Sequence, residues 1–227
     1  MRILALDTST EFLSLALDLD GKHYTRDIHA GQTHSQQILP VLRELLQEAG
    51  VTLQELNGIA FGEGPGSFTG LRIGCGVVQG LAFGANLPVV GISTLLALAH
   101  GAFIEGDAQK IIACLDARMG EIYHAAYERS GEAWREICAP SLCKAENSPV
   151  LSGQGWMGVG SAWGAYADQL NAYYAQQVVG VMPEVNPQAL IIAQLAEPIL
   201  QAGLGRPAHE AAPVYIRNKI ALKMSER

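Results

Sequence analysis

The chain has 227 residues, 49% of them hydrophobic and only 16% charged, with a formal net charge of −7. That length holds one large domain or two small ones around an ample core, and the acidic balance excludes a protein that grips nucleic acid on a basic face of its own. Met1-Arg2 leads straight into an apolar run and no run reaches bilayer-spanning length, so neither a secretion signal nor a membrane span is expected. Cys75, Cys114, Cys138 and Cys143 lack metal-ligand spacing, and Cys75 and Cys114 sit in apolar stretches. Reduced thiols in a cytoplasmic protein are the expectation.

In chain order, Ile3 to Asp7 reads as a strand that turns at Thr8-Ser9-Thr10 and returns through Phe12 to Leu17. Asp20-Gly21 marks a hairpin turn before a third strand over Lys22 to Ile28. Ile38, Leu42, Leu45, Leu46 and Ala49 keep helical spacing over Thr33 to Ala49, with Gly50 as the stop and Pro40 as a kink or restart. Asn57 to Phe61 reads as a buried strand that feeds the glycine-rich loop Gly62 to Gly70. A second helix follows over Leu71 to Ala85, then a strand at Pro88 to Ile92 and a helix capped by Ser93. This βββαβαβα order matches a ribonuclease-H-like lobe.

The strand–Asp–turn–strand device recurs at Ile111 to Asp116, returning through Glu121 to Tyr127, which predicts a second lobe facing the first. The expected division is residues 1–104 and 105–227, with a hinge near Ala102 to Gln109. Asn186-Pro187 starts a helix ending at Gly203, and Pro213 to Arg217 reads as a closing strand whose lobe is left open.

Asp7, Thr8 and Ser9 in the first lobe and Asp116 in the second are the candidate nucleotide or phosphate ligands, because a carboxylate beside a turn can reach a metal-bound phosphate. A strand-end Asp also serves structure alone, and Arg118 follows Asp116 where a phosphate-hugging turn usually has Gly or Ser. The Gly62 to Gly74 loop enters a helix N-terminus but fails the P-loop test, since Gly70 is followed by Leu71-Arg72. The six histidines, His23, His29, His34, His100, His124 and His209, contain no pair three or four apart. No Gly-x-Ser-x-Gly elbow occurs either, so neither a resident metal nor a catalytic residue is expected.

The helix over 71–85 is apolar nearly all round. At about 100° per residue, Gly70, Gly74, Gly76, Gly80 and Gly84 share a broad arc with Ile73, Val77 and Leu81, and only Arg72 and Gln79 leave a polar stripe. Each helical glycine costs up to about 1 kcal/mol against Ala, which close approach of another backbone would offset. That backbone is either another helix of this chain or a second subunit. The subunit reading makes a partner face of Arg72, Ile73, Gly76, Val77, Gly80, Leu81 and Gly84, joined by His34, Ile38, Leu42 and Leu45 of the preceding helix.

The opening Met1 to Thr10, His34-Ser35 with Leu39-Pro40, the string Gly64-Pro65-Gly66-Ser67-Phe68-Thr69-Gly70-Leu71-Arg72-Ile73-Gly74, then Gly91-Ile92-Ser93-Thr94-Leu95 and the ending Pro213 to Asn218 resemble the bacterial TsaB (YeaZ) family. The similarity is strong over the first hundred residues and loose in the middle. It implies the actin-like ATPase superfamily fold, an α/β architecture of two ribonuclease-H-like lobes with mixed sheets. It implies a part in forming N6-threonylcarbamoyladenosine at position 37 of tRNAs that read codons beginning with A. The role implied is a partner, not the transferase: it pairs with the metal-binding paralogue TsaD and with the ATPase TsaE. Alone it is expected to form a homodimer, and it reaches tRNA only through the complex. TsaD's His-x-x-x-His motif is replaced here by Ser93-Thr94-Leu95-Leu96-Ala97-Leu98. A stand-alone ATPase or small-molecule kinase using Asp7 and Asp116 around magnesium-ATP is the alternative. A metallopeptidase would require a bound zinc or iron.

Overall fold

The opening apolar run becomes β1 (Arg2–Asp7), which pairs antiparallel with β2 (Phe12–Leu19), and β2 pairs in turn with β3 (Lys22–His29), in the computed structural model, which describes residues 1–217. The β2–β3 turn holds Asp20 and Gly21 at φ 56° and 87°. α1 (His34–Ala49) stops at Gly50 in the left-handed conformation that glycine adopts without strain. It continues through Pro40 as one helix, without the restart that the sequence allowed. β4 (Gly58–Gly64) runs parallel to β1, α2 (Phe68–Ala85) returns the chain, β5 (Val89–Ser93) extends the sheet and α3 (Thr94–Gly106) leaves it. The sheet order is β3-β2-β1-β4-β5, and the element order is that of a ribonuclease-H-like lobe.

The second sheet is built from β6 (Lys110–Asp116), β7 (Ile122–Ser130), β8 (Ala133–Cys143), β9 (Trp156–Val159) and, after the short helices α4 (Ala162–Ala165) and α5 (Ala167–Tyr173), β10 (Val178–Met182). Its order is β10-β9-β6-β7-β8. α3 packs Leu95, Leu98, Ala99 and Ala102 on Ile111, Ala113 and Leu115 of this sheet, so it joins the lobes through apolar burial as well as through the chain.

Alternation along β1 feeds two cores. Leu4 and Leu6 face α1 and α2 with Leu13, Leu15, Leu17, Ile38, Leu42 and Leu45, while Ile3 and Ala5 face the opposite way. That opposite face is covered by α6 (Ala189–Gln201), whose Ile191, Ile192, Ala196 and Leu200 pack on Ile3, Ala5, Ala16 and Ala60. Ser14 pins the start of α6: its Oγ accepts from the Ala189 N–H at 2.7 Å and donates to Asp27 at 2.6 Å. The first lobe therefore takes in residues 189–201, from the part of the chain expected to form the second lobe.

The expected strand over Pro213 to Arg217 does not form; that segment runs across the surface with, among the described residues, one main-chain bond, from Val214 N–H to the Glu63 carbonyl at 2.7 Å. Asn218 lies outside the described residues. No described helix is long and apolar enough to cross a membrane.

Candidate functional site

The two strand-end carboxylates meet different environments. At the end of β1, Asp7 Oδ1 accepts from Ser9 N–H at 2.9 Å and from Ser9 Oγ at 2.7 Å, a turn that holds the carboxyl against its own backbone. Asp7 is 1% exposed and its Oδ2 has no hydrogen-bond partner among the described residues. A Cβ at Gly62 would overlap that oxygen, so the carboxyl lies against β4, inside the lobe. Burial pushes its pKa up to about 6, against the lowering from the Ser9 bonds. Thr8 is buried as well, its Oγ1 donating to the Gly70 carbonyl at 2.8 Å.

Asp116 sits at the other wall. Its Oδ1 accepts from the Arg118 N–H at 2.8 Å and the Tyr166 hydroxyl at 3.1 Å, and its Oδ2 lies 3.1 Å from the Arg118 guanidinium. The turn that arranges this holds Arg118 and Met119 at φ 61° and 58°, left-handed positions that side-chain-bearing residues seldom take.

Between the lobes lies a cavity of about 720 Å³, lined among others by Ser9, Ser67, Asp116, Arg118, Tyr215 and Arg217. That volume would hold a small molecule. Of the four expected phosphate ligands, only Ser9 and Asp116 reach its wall. Asp7 and Thr8 are turned away from it, and Asp116 already spends its oxygens on its own turn and on Tyr166. Two carboxylates sharing one metal-phosphate are not what this geometry presents. Among the described residues no group of three His, Cys, Asp or Glu is arranged to hold a metal.

The glycines of α2 divide into two sets. Ser67 caps the helix, its Oγ accepting from Gly70 N–H at 3.2 Å. A Cβ at Gly70 would overlap the Thr8 carbonyl and one at Gly74 would overlap Thr8 Oγ1, so these two are small because Thr8, just past β1, lies against them. Among the described residues, Gly76, Gly80 and Gly84 have nothing within 4 Å of an added Cβ. The five glycines therefore do not share one role, as their common arc on the helical wheel suggested. The open set lies among half-buried Ile73, Val77 and Leu81, exposed Arg72, and Phe83, which is 83% exposed.

The contribution expected from α1 needs correction. His34, Ile38, Leu42 and Leu45 are 4%, 1%, 3% and 0% exposed, buried in this chain's own first lobe. His34 Nε2 sits 3.1 Å from the Phe12 carbonyl, which ties the helix start to β2. Helical spacing found the apolar stripe of α1, but that stripe is its inward one. What α1 offers outward is Leu39, 52% exposed. Leu39 and Phe83 were missed; Phe83 was within reach, since at about 100° per residue it falls between Arg72 and Gly76 on the wheel.

Two ribonuclease-H-like lobes on mixed sheets, facing each other across a cleft, define a protein of the actin-like ATPase superfamily fold. The family model of the tRNA N6-adenosine threonylcarbamoyltransferase TsaD matches residues 28–157. The tRNA threonylcarbamoyladenosine biosynthesis protein TsaB of Escherichia coli is 38% identical over 98% of this chain and 97% of its own length, and that of Haemophilus influenzae is 38% identical over 98% and 96%. The solved structure of YeaZ from Pseudomonas aeruginosa, 38% identical, superposes with a TM-score of 0.87 over 94% of this chain and 99% of that one. A more distant match, 36% identical over 44% of this chain, is the tRNA N6-adenosine threonylcarbamoyltransferase of Symbiobacterium thermophilum. The chain belongs to the TsaB (YeaZ) family of tRNA threonylcarbamoyladenosine biosynthesis proteins.

Proposed function

We propose that the chain is a non-catalytic subunit of the machinery that forms N6-threonylcarbamoyladenosine in tRNA, and that it docks on a TsaD-type metal-binding transferase through the outer face of α2. The observation that carries this reading is the glycine face of Gly76, Gly80 and Gly84, left uncovered among the described residues, with exposed Phe83 beside it. Glycines packed against nothing cost helix stability, up to about 1 kcal/mol each. A partner helix brought to backbone distance recovers that cost through close packing. The same face pairs two copies of the chain when the transferase is absent, and a TsaE-type ATPase completes the assembly. The net charge of −7 supports contact with tRNA through partners and not through a basic surface of this chain. Four free thiols fit a cytoplasmic setting. The alternative, an ATPase or kinase working through Asp7 and Asp116, requires both carboxylates to face one ligand, and Asp7 lies off the cavity wall.

The test is size-exclusion chromatography with light scattering on the chain, alone and mixed with a TsaD-type transferase. The wild-type chain is expected to form a one-to-one complex. Gly80→Leu, whose Cβ meets nothing within 4 Å among the described residues, abolishes that complex and the self-pairing while leaving the circular dichroism spectrum unchanged. A Gly80→Leu chain that pairs normally would remove α2 as the docking face.

A further inference from the structure

After α6 the chain returns along the first lobe, where Arg206 bridges Val89. It then turns at Ala208–Glu210 and crosses from one lobe to the other over residues 211–217. Ala211, 2% exposed, anchors the near end, its carbonyl accepting from Gln79 Nε2 at 2.7 Å. Val214 N–H then bonds the Glu63 carbonyl at 2.7 Å, which lays the segment over the end of β4, where a Cβ on Gly64 would meet the Val214 carbonyl. The Tyr215 hydroxyl and Arg72 Nε lie 2.8 Å apart, with the guanidinium nitrogen donating. The same guanidinium stands over the Phe68 ring at 3.7 Å and the Tyr215 ring at 5.7 Å. At the far end Arg217 pairs with Glu121 at 2.6 Å and reaches the Arg118 carbonyl at 3.5 Å, both at the β6–β7 turn of the second lobe.

Only the near anchor is buried. Val214 and Tyr215 are 47% and 43% exposed, and the far anchor is a half-buried ion pair at a turn, its Arg217 and Glu121 side chains 16% and 34% exposed. Val214, Tyr215 and Arg217 belong to none of the hydrophobic core clusters, so their contacts open without disturbing a core. Val214 to Arg217 also line the interlobe cavity, so whatever releases them unroofs it. The turn they hold is the one that carries the left-handed Arg118 and Met119 and brackets Asp116.

We propose that residues 211–217 are a releasable latch across the cleft, hinged at Ala211, with Tyr215 and Arg217 as its catches, and that letting go of the catches opens the interlobe cavity. Phe68, Arg72 and Gln79, three of its contacts, stand on α2, so the latch reads the position of that helix directly.

Hydrogen exchange measured by mass spectrometry on the full chain tests this, with wild type, Tyr215→Ala, Arg217→Glu and the charge swap Arg217→Glu with Glu121→Arg. Tyr215→Ala and Arg217→Glu are expected to speed exchange about tenfold in the peptides covering residues 63–68 and 117–121, with the β2–β3 and β7–β8 hairpins unchanged. The charge swap is expected to restore the 117–121 peptide towards the wild-type rate. Unchanged exchange at both places would overturn the latch. So would a rise spread evenly over both sheets, which would make the segment a structural tie, and so would a charge swap that restores nothing.

Discussion

Thr8 Oγ1 donates to the Gly70 carbonyl at 2.8 Å, and that bond fastens the first turn of α2 to the end of β1 so closely that neither Gly70 nor Gly74 has room for a Cβ. Further along the same helix, Gly76, Gly80 and Gly84 have, among the described residues, nothing within 4 Å of an added Cβ. One residue type therefore serves two purposes, and alanine scanning separates them. Gly70→Ala and Gly74→Ala force a carbon against Thr8 at the end of β1 and are expected to lower the stability of the isolated chain by about 1–3 kcal/mol each. Gly76→Ala and Gly80→Ala are expected to raise it by up to about 1 kcal/mol each, through helix propensity. Urea unfolding reads both, and the same sign for the two pairs would show that the division is false.

Asp7 and His124 set opposed pH dependences over one window. Burial raises the Asp7 carboxyl from its ordinary value to about 6, so the folded chain holds that proton more tightly than the unfolded one and stability falls as pH rises from about 4 to 6. His124 is fully buried, its Nδ1 unpartnered and its Nε2 3.0 Å from the Tyr174 hydroxyl. Burial lowers its pKa to about 4, so the folded chain resists that proton and stability falls as pH drops from about 6.5 to 4. Relative to wild type, Asp7→Asn is expected to gain on the order of 2–3 kcal/mol above pH 6 and little at pH 4. His124→Gln should show its advantage at pH 4 and lose it above pH 6.5. The measurement is the urea midpoint of each variant against pH, and a pH-independent difference would contradict the burial of the corresponding charge.

Calorimetry with magnesium-ATP on the isolated chain addresses the cavity. With Asp7 enclosed and Asp116 bracketed by Arg118 and Tyr166, binding is expected to be no tighter than about 1 mM. Asp7→Ala should leave the heats unchanged. Tight binding abolished by that substitution would restore the catalytic alternative.

Much of the fold was legible because periodicity reports burial. The apolar runs of β1 and β2, the stripe on α1 and the left-handed Gly50 stop each follow from local chemistry that tertiary packing did not override. Periodicity failed where it had to choose between equivalent partners. Ile38, Leu42 and Leu45 form a stripe whether it faces a sheet or a subunit, and only the fold shows that the sheet takes it. Asp7 ends its strand in the same motif whether its carboxyl points to a cleft or into β4; the deciding contact, Gly62, lies 55 residues away. β8, which alternates among exposed and half-buried residues at a sheet edge, left no apolar signature. The segment over 213–217 read as a strand because Val214, Tyr215 and Ile216 favour one, yet among the described residues its single main-chain bond, to Glu63, makes it a strap.

The most direct measurement is the threonylcarbamoyladenosine content of tRNA in cells whose only copy of this protein carries Gly76→Leu with Gly80→Leu, compared at equal protein level with cells carrying Asp7→Asn. The α2 double variant is expected to lose the modified nucleoside and the Asp7 variant to keep it. Normal modification with the α2 face blocked, or its loss when only the Asp7 carboxylate is neutralised, would contradict the assignment of function to a docking surface.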